Sequence, residues 1–200
     1  MTRFVLASQS PARLATLRRA GVEPEVVVSG VDEDSVDLAD TAELVVELAR
    51  RKAGAVAAEL EGAAIVLGCD SLLELDGATL GKPGSAEAAA QRWRAMRGRS
   101  GVLHTGHCLI ETPDGRSLSR GVATTVHFAD MSDAEIAAYC GTGEPAQVAG
   151  AFTVDGLGGW FVQGVEGDHH NVVGLSLPAL RDMLRELGHD LADIGYPAAP

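Results

Sequence analysis

Apolar and polar positions along the first half of the chain predict strands and helices that follow one another. Residues 3–7 are mostly apolar and predict a short buried strand, after which Ser10 is placed to cap a helix that opens with proline. Apolar residues recur at helical spacing over 41–60, behind an acidic N-cap. Residues 63–69 form an unbroken apolar run of strand length, with Asp70 at its end. This alternation of strand and helix is typical of an α/β protein.

The second half of the chain predicts hairpins and further helices. Asp76-Gly77 separates two short apolar segments, which is a strong hairpin signal. The pattern predicts helices over 86–97, 132–140 and 176–187 and strands over 102–111, 117–128 and 160–165. We therefore expect a mixed, twisted sheet flanked by helices. With 200 residues, we expect one domain over 1–190 and a short C-terminal tail rich in proline and alanine over 191–200.

The charge balance restricts the partners that the chain can take. Sixteen lysines and arginines stand against 28 aspartates and glutamates, so the net charge is −12. A surface of this charge repels nucleic acid polymers and anionic lipid. We expect neither as a partner, and a polyanionic ligand has to enter through a local basic pocket or together with a metal ion.

The compartment is predicted from what the sequence lacks. No apolar segment free of charges approaches the roughly 18–20 residues of a membrane span, and the N-terminal residues do not resemble a signal peptide. Three cysteines, Cys69, Cys108 and Cys140, are odd in number and far apart, which is typical of buried reduced thiols. We therefore expect a cytoplasmic protein.

Lysine is rare in this chain, and its two positions are candidates for phosphate binding. Of the 16 basic residues only Lys52 and Lys82 are lysines. An ammonium group is a compact point charge that suits phosphate, although two ordinary surface lysines would give the same composition. Lys82 follows the predicted hairpin and could return to the sheet edge where Asp70 lies.

Asp70 and the first strand–helix junction could carry chemistry. A carboxylate at the end of a buried strand can hold Mg²⁺ or accept a proton from an attacking water, whereas the alternative is a turn-forming residue that begins the hairpin. Ser8 and Arg13 flank the start of the first helix, whose free N–H groups favour phosphate and where arginine adds a charged contact. Such junctions are also common without any ligand.

An acidic loop over 32–40 is either a solvated loop or a source of metal ligands, for which Glu33 and Asp32 are the candidates. Two pairs of histidines that are close in sequence could be zinc ligands. They are His104 with His107, and His169 with His170. No cysteine lies near them and no HExxH helix is present, so we do not expect zinc.

Ten short segments, in this order, carry a resemblance to a known family. They are Leu6-Ala7-Ser8-x-Ser10-Pro11-x-Arg13, Ala49-Arg50-x-Lys52-Ala53, Leu67-Gly68-x-Asp70, Gly81-Lys82-Pro83, Gly98-Arg99-Ser100, Thr105-Gly106, Gly143-Glu144-Pro145, Ala149-Gly150-Ala151-Phe152, Gly156-Leu157-Gly158 and Val173-Gly174-Leu175. Over about residues 4–185 the chain resembles the Maf family of nucleoside triphosphate pyrophosphatases.

The resemblance implies a fold and a reaction. The fold would be of the inosine-triphosphate-pyrophosphatase type, with two lobes around a central cleft, and the chain would form a homodimer. The reaction would need Mg²⁺ or Mn²⁺ and would turn a nucleoside triphosphate and water into the monophosphate and pyrophosphate. Asp70 would be the proton acceptor and would share the metal with Glu33. The residues that the resemblance assigns to the triphosphate are Ser8, Arg13, Lys52 and Lys82.

The chain departs from the family patterns at the positions that distinguish members by the base of their substrate. Members that act on dTTP and UTP usually carry arginine, threonine and glutamine where this chain has Ala12, Ser71 and Asp155. The 7-methyl-GTP type carries other residues at the first two positions and an acidic one at the third. If Asp155 faces the base, its carboxylate could accept hydrogen bonds from the N1–H and N2–H edge of guanine, which gives a hypothesis of purine preference.

Two other functions stay open beside the enzyme. The family is also linked to inhibition of septum formation and cell division, which would make the chain a nucleotide-binding regulator with no need for Asp70. A phosphatase that removes only the terminal phosphate would release orthophosphate in place of pyrophosphate.

Overall fold

The computed structural model describes residues 2–197 and contains both strands and helices. The strands are β1 (Arg3–Leu6), β2 (Glu25–Val26), β3 (Ala64–Leu75), β4 (Ala78–Leu80), β5 (Ser100–Thr112), β6 (Ser117–Phe128) and β7 (Val162–Glu166). The helices are α1 (Pro11–Arg19), α2 (Thr41–Glu59), α3 (Ala86–Met96), α4 (Asp133–Gly141), α5 (His169–Val173) and α6 (Leu177–Glu186). No helix in this part of the chain combines the length and the apolar character that crossing a membrane requires.

The strands form one mixed sheet, so the predicted α/β class is confirmed. Its order is β2-β1-β3-β5-β6-β7, and β4 pairs with β3 beside this path. β1 pairs in parallel with both β2 and β3, whereas β3–β4 and β6–β7 are antiparallel. Parallel pairs need a crossover, and α1 and α2 with their loops supply it here.

The helix caps predicted from the sequence are present. Ser10, Asp40 and Ser132 each accept a hydrogen bond from the backbone N–H three residues on. A side-chain oxygen at this position satisfies one of the N–H groups that a helix leaves without a partner. Local sequence therefore determines where α1, α2 and α4 begin.

The prediction that the strand ends before Asp70 is wrong. β3 continues through Asp70 to Leu75, although its parallel partner β1 stops opposite Leu67. The strand continues because β5 remains its neighbour in the sheet and β4 pairs with its last three residues. Polar residues inside a strand are stable when the backbone ladder continues and their side chains find partners. Asp70 therefore lies in the middle of a strand, three residues beyond its last pairing with β1.

The described chain forms two compact units. The first comprises residues up to Asp70, Thr105–Val122 and residues from Gly174 onward. Its core contains apolar residues of β1, β3, α1 and α6, such as Leu6, Leu67 and Met183. A separate cluster of mostly small residues lies along α2. In the predicted tail, residues 191–194 form a short 3₁₀ helix, and its Ile194 is buried in the core that contains Leu6 and Leu67. Residues 198–200 of the tail lie outside the described part.

The second unit comprises Ser71–His104 and Ala123–Val173. Its core is organised around Trp93, which is fully buried and contacts the rings of Phe128, Tyr139 and Phe161 edge-on. The Trp93 Nε1–H donates to the carbonyl of Ala151 at 2.8 Å, so the buried indole keeps a polar partner. Separately, all three cysteines of the chain are buried free thiols, as the sequence predicts.

Two glycines of the first unit allow α2 to lie directly against the sheet. A Cβ at Gly68 on β3 would lie 2.2 Å from the carbonyl oxygen of Ala49, and a Cβ at Gly106 on β5 would lie 2.1 Å from that of Val45. Real Cβ atoms essentially never make such contacts, so any side chain at either position would force the helix away. Glycine is needed here for close backbone approach rather than for an unusual backbone angle.

Gly68→Ala should destabilise the protein, whereas Gly54→Ala should not. We expect the first change to lower the free energy of unfolding by about 2 kcal/mol or more, because the added methyl group overpacks the helix–strand contact. Gly54 lies within α2 with open space around its Cβ position, so alanine there should raise the free energy of unfolding by about 0.5–1 kcal/mol. Urea denaturation of the two variants measures both values, and equal effects would contradict the close-approach argument.

Candidate functional site

The junction between β1 and α1 carries two of the predicted phosphate-binding residues, and they contact each other. Pro11 opens α1 behind the Ser10 cap, so Arg13 lies in the first turn of the helix. Arg13 Nη1 donates to the Ser8 hydroxyl at 3.1 Å, and the Ser10 amide donates to the same hydroxyl at 3.2 Å. Both Ser8 and Arg13 are buried. The guanidinium therefore lies beside the N-terminus of a helix, where positive charge and N–H groups favour an anion.

Lys52, Asp70 and Glu33 form a charge cluster that is largely shielded from water. The Lys52 ammonium lies 2.5 Å from Oδ1 of Asp70 and 2.6 Å from Oε1 of Glu33. Only 9% of the Lys52 side chain and 8% of the Asp70 side chain are exposed, against 53% for Glu33. The cluster joins a helix, a strand and the acidic loop, so it exists only in the folded chain.

Burial changes the acidity of Asp70. Removal from water raises the pKa of this carboxyl above the ordinary aspartate value, and the positive charges of Lys52 and Arg13 oppose that change. A carboxylate of raised pKa is a better proton acceptor than an ordinary one. The Arg13 contribution comes from the β1–α1 junction, where its guanidinium contacts Ser8.

Two carboxylates of this cluster, Glu33 and Asp70, are the candidate ligands for a divalent cation. Glu33 and Asp70 each place one oxygen on the same cationic atom, the Lys52 nitrogen, at 2.6 and 2.5 Å. Within residues 2–197 no group of three or more His, Cys, Asp or Glu side chains could hold a metal. Mg²⁺ is commonly bound by one or two carboxylates together with substrate phosphates and water. Glu33 and Asp70 thus fit a cation that arrives with a polyphosphate.

The other predicted site residues occupy different parts of the chain. Ala12 is half-buried on α1 in the first unit. Ser71, Lys82 and Asp155 belong to the second unit, where Lys82 is exposed between β4 and α3 and Asp155 is exposed in the glycine-rich segment before residue 157. Within the first unit, the structure thus brings together Ser8 with Arg13, and Lys52 with Asp70 and Glu33. The roles of all these residues stay predictions.

Two groups that hold predicted site residues, one in each unit, were not found by sequence reasoning. The carbonyl of Gly174 accepts a hydrogen bond from Arg13 Nε at 2.7 Å across 161 residues of sequence. In the second unit, Glu144 accepts hydrogen bonds from Tyr139, Thr153 and the backbone of 157 and 158, which holds the segment that carries Asp155. Both positions belong to short motifs named above, but a motif does not show which atom its residues contact.

Comparison with known proteins identifies relatives along almost the whole chain. A protein of Streptomyces coelicolor is 55% identical over 197 residues, covering 98% of this chain and 96% of its own length. A protein of Salinispora tropica is 58% identical over 189 residues, covering 92% of this chain and 84% of its own. Both are named nucleoside triphosphate pyrophosphatase.

A solved structure and a family profile complete the comparison. The Ham1 protein of Staphylococcus aureus matches with a TM-score of 0.44 and 20% identity, over 64% of this chain and 72% of that one. The profile described as Maf-like protein matches residues 3–187. Since this match covers nearly the whole chain and close relatives extend over the same residues, the chain belongs to the Maf-like protein family.

Proposed function

We propose that this protein hydrolyses nucleoside triphosphates to the monophosphate and pyrophosphate. The observation that carries the proposal is the buried contact between Lys52 and Asp70, with Glu33 on the same ammonium and Arg13 close enough to influence the carboxyl. A proton acceptor among cations is what attack of water on a polyphosphate requires. The names of the relatives support the same reaction.

In the proposed reaction, water attacks the α-phosphorus of the bound nucleotide. A bond forms between the water oxygen and phosphorus while the bond from phosphorus to the bridging oxygen of the β-phosphate breaks, and pyrophosphate leaves with that electron pair. The proton of the water passes to Asp70. Because Oδ1 accepts from Lys52, we assign the proton to Oδ2.

The cations of the site would bind the triphosphate and stabilise its charge. Arg13, held beside Ser8, would form paired hydrogen bonds to phosphate oxygens. Lys52 would remain near the reacting phosphate and neutralise charge that develops in the transition state. We assign Lys82 to the same substrate. These contacts would offset the repulsion between a triphosphate and a protein of net charge −12.

Glu33 and Asp70 would hold a divalent cation, Mg²⁺ or Mn²⁺. When bound, such an ion neutralises phosphate oxygens and helps to orient water and leaving group. Both carboxylates also contact the Lys52 ammonium in the structure, so a bound cation would share them with that group.

The physiological role that we propose is removal of standard or modified nucleotides from the cytoplasmic pool by a homodimer. Asp155 supports a preference for purines, because a carboxylate accepts the two N–H donors on the guanine edge. Asp155 is exposed in the glycine-rich segment before residue 157.

Asp70→Asn should abolish pyrophosphate release. Without the proton acceptor we expect kcat to fall on the order of a hundredfold or more, whereas the exposed Asp37→Asn in the acidic loop should keep wild-type kcat. Both variants are assayed on a panel including GTP, UTP and 7-methyl-GTP, with pyrophosphate and orthophosphate resolved. Release of orthophosphate alone would favour a terminal phosphatase, and tight binding without turnover would favour a regulator.

The pH dependence should show the raised pKa of Asp70. The ionised carboxylate is the active form, so kcat/KM should fall as the pH drops through a pKa above the ordinary value of about 3.9. The Lys52 ammonium lowers this pKa. In Lys52→Met, the fall of kcat/KM on the acidic side of the pH profile should therefore occur at higher pH.

Arg51→Met is the matched control for this shift. Arg51 lies next to Lys52 on α2 but pairs with Glu47. The substrate titrates in the same way with every variant. A difference between the pH profiles of two variants therefore comes from a group of the protein. An acid limb that stays at the same pH in Lys52→Met would contradict the assignment to Asp70.

Removal of divalent metal should stop the reaction reversibly. We expect a chelator to abolish pyrophosphate release and added Mg²⁺ or Mn²⁺ to restore it. Glu33→Gln should raise the metal concentration needed for half-maximal activity by roughly tenfold, because it removes one of two carboxylates. Exposed Glu43→Gln on α2 is the control. Full activity in the chelator would rule the metal requirement out.

A further inference from the structure

A histidine that the proposed reaction does not use is buried in the first unit. His107 lies on β5 with no exposed surface, and its Nε2 accepts a hydrogen bond from the backbone amide of Ser176 at 2.9 Å. An imidazole nitrogen that accepts a hydrogen bond carries no proton, so the ring has its proton on Nδ1 when it is neutral. The contact spans 69 residues of sequence and ties β5 to the start of α6.

The residue that His107 holds belongs to a tight turn that also contacts Arg13. Gly174 has a φ of +112°, which favours glycine. Leu175 is fully buried, and the Ser176 hydroxyl caps α6 by accepting from the Ala179 amide at 3.1 Å. The Gly174 carbonyl at the other end of this turn accepts from Arg13 Nε at 2.7 Å. His107 and Arg13 are thus attached to two ends of one three-residue segment.

Two hydrogen bonds orient the Arg13 guanidinium. Nε binds the Gly174 carbonyl and Nη1 binds the Ser8 hydroxyl at 3.1 Å. Together they define the plane of the guanidinium. A planar group that binds phosphate through paired N–H donors depends on that orientation.

We propose that His107 is a positioning residue for substrate binding, which holds the 174–176 turn so that its Gly174 carbonyl orients Arg13 toward the polyphosphate. This inference rests on the proposed function and deepens it. His107 does not contact the reacting atoms in this scheme. It acts through Ser176, Gly174 and Arg13, all within the first unit.

The test compares two substitutions of His107 in the whole protein. His107→Leu removes the acceptor, and we expect KM for the nucleoside triphosphate to rise about tenfold with kcat changed less than about threefold. His107→Gln keeps a neutral acceptor at similar reach, and KM should stay within about twofold of wild type. The proposal would be overturned if His107→Leu kept the wild-type KM. It would also be overturned if folded His107→Gln raised KM as much as is expected for His107→Leu.

Leu109→Ala separates positioning from a general loss of stability. Leu109 is fully buried on the same strand, two residues from His107. Its truncation should lower the melting temperature at least as much as His107→Leu while leaving KM unchanged. If Leu109→Ala raises KM equally, the effect of His107 is merely structural and the proposal fails.

A double-mutant cycle with Arg13→Lys tests the route of the effect. Lysine has no Nε–H to donate to Gly174, so loss of His107 should change KM less than about twofold in that background. An undiminished tenfold effect there would overturn the proposal.

A binding assay makes the test independent of turnover. If the wild type releases no pyrophosphate, the proposed function fails by itself. Kd for a non-hydrolysable triphosphate analogue, measured on the same variants, then replaces KM. A tenfold weaker Kd in His107→Leu that His107→Gln restores would support positioning, and an equal Kd in all variants would overturn it.

Discussion

The candidate site depends on how closely α2 approaches the sheet. Glycine at positions 68 and 106 leaves room for the helix backbone, since a Cβ at either would lie little more than 2 Å from a helix carbonyl. Lys52 is on this helix and Asp70 is two residues from Gly68, so the same contact brings the ammonium to 2.5 Å from the carboxylate. A larger residue at either glycine would push α2, and with it the backbone of Lys52, away from the sheet.

The cluster that results is stable because its charges neutralise one another. Burial of an unpaired carboxylate or ammonium is costly, and Asp70 and Lys52 are both largely shielded from water. Their contact, Glu33 on the same nitrogen and the nearby Arg13 offset that cost. Burial still raises the pKa of Asp70, which suits a proton acceptor. Stability and the proposed chemistry therefore come from the same arrangement.

Arg13 shows a second way in which distant segments support the site. Its position at the start of α1 follows from the local cap at Ser10, but its guanidinium is oriented by Gly174, which lies 161 residues away. His107 stabilises the turn that contains Gly174 through the amide of Ser176. The orientation of Arg13, and with it the phosphate binding that we propose, therefore depends on groups outside the charge cluster.

The sequence by itself determined the helix starts at Ser10, Asp40 and Ser132, the mixed α/β class and the family, because caps, periodicity and short motifs are local or ordered along the chain. It also singled out Lys52 and Asp70 as residues that could carry chemistry.

Only the tertiary structure decided that β3 continues through Asp70, that Lys52 bridges Asp70 and Glu33, and that the Gly174 carbonyl holds Arg13. The polar residue after an apolar run indicated the end of a strand, but pairing with neighbouring strands overrides that local signal. Contacts between residues far apart in sequence depend on helix–sheet packing, which no local pattern of residues encodes.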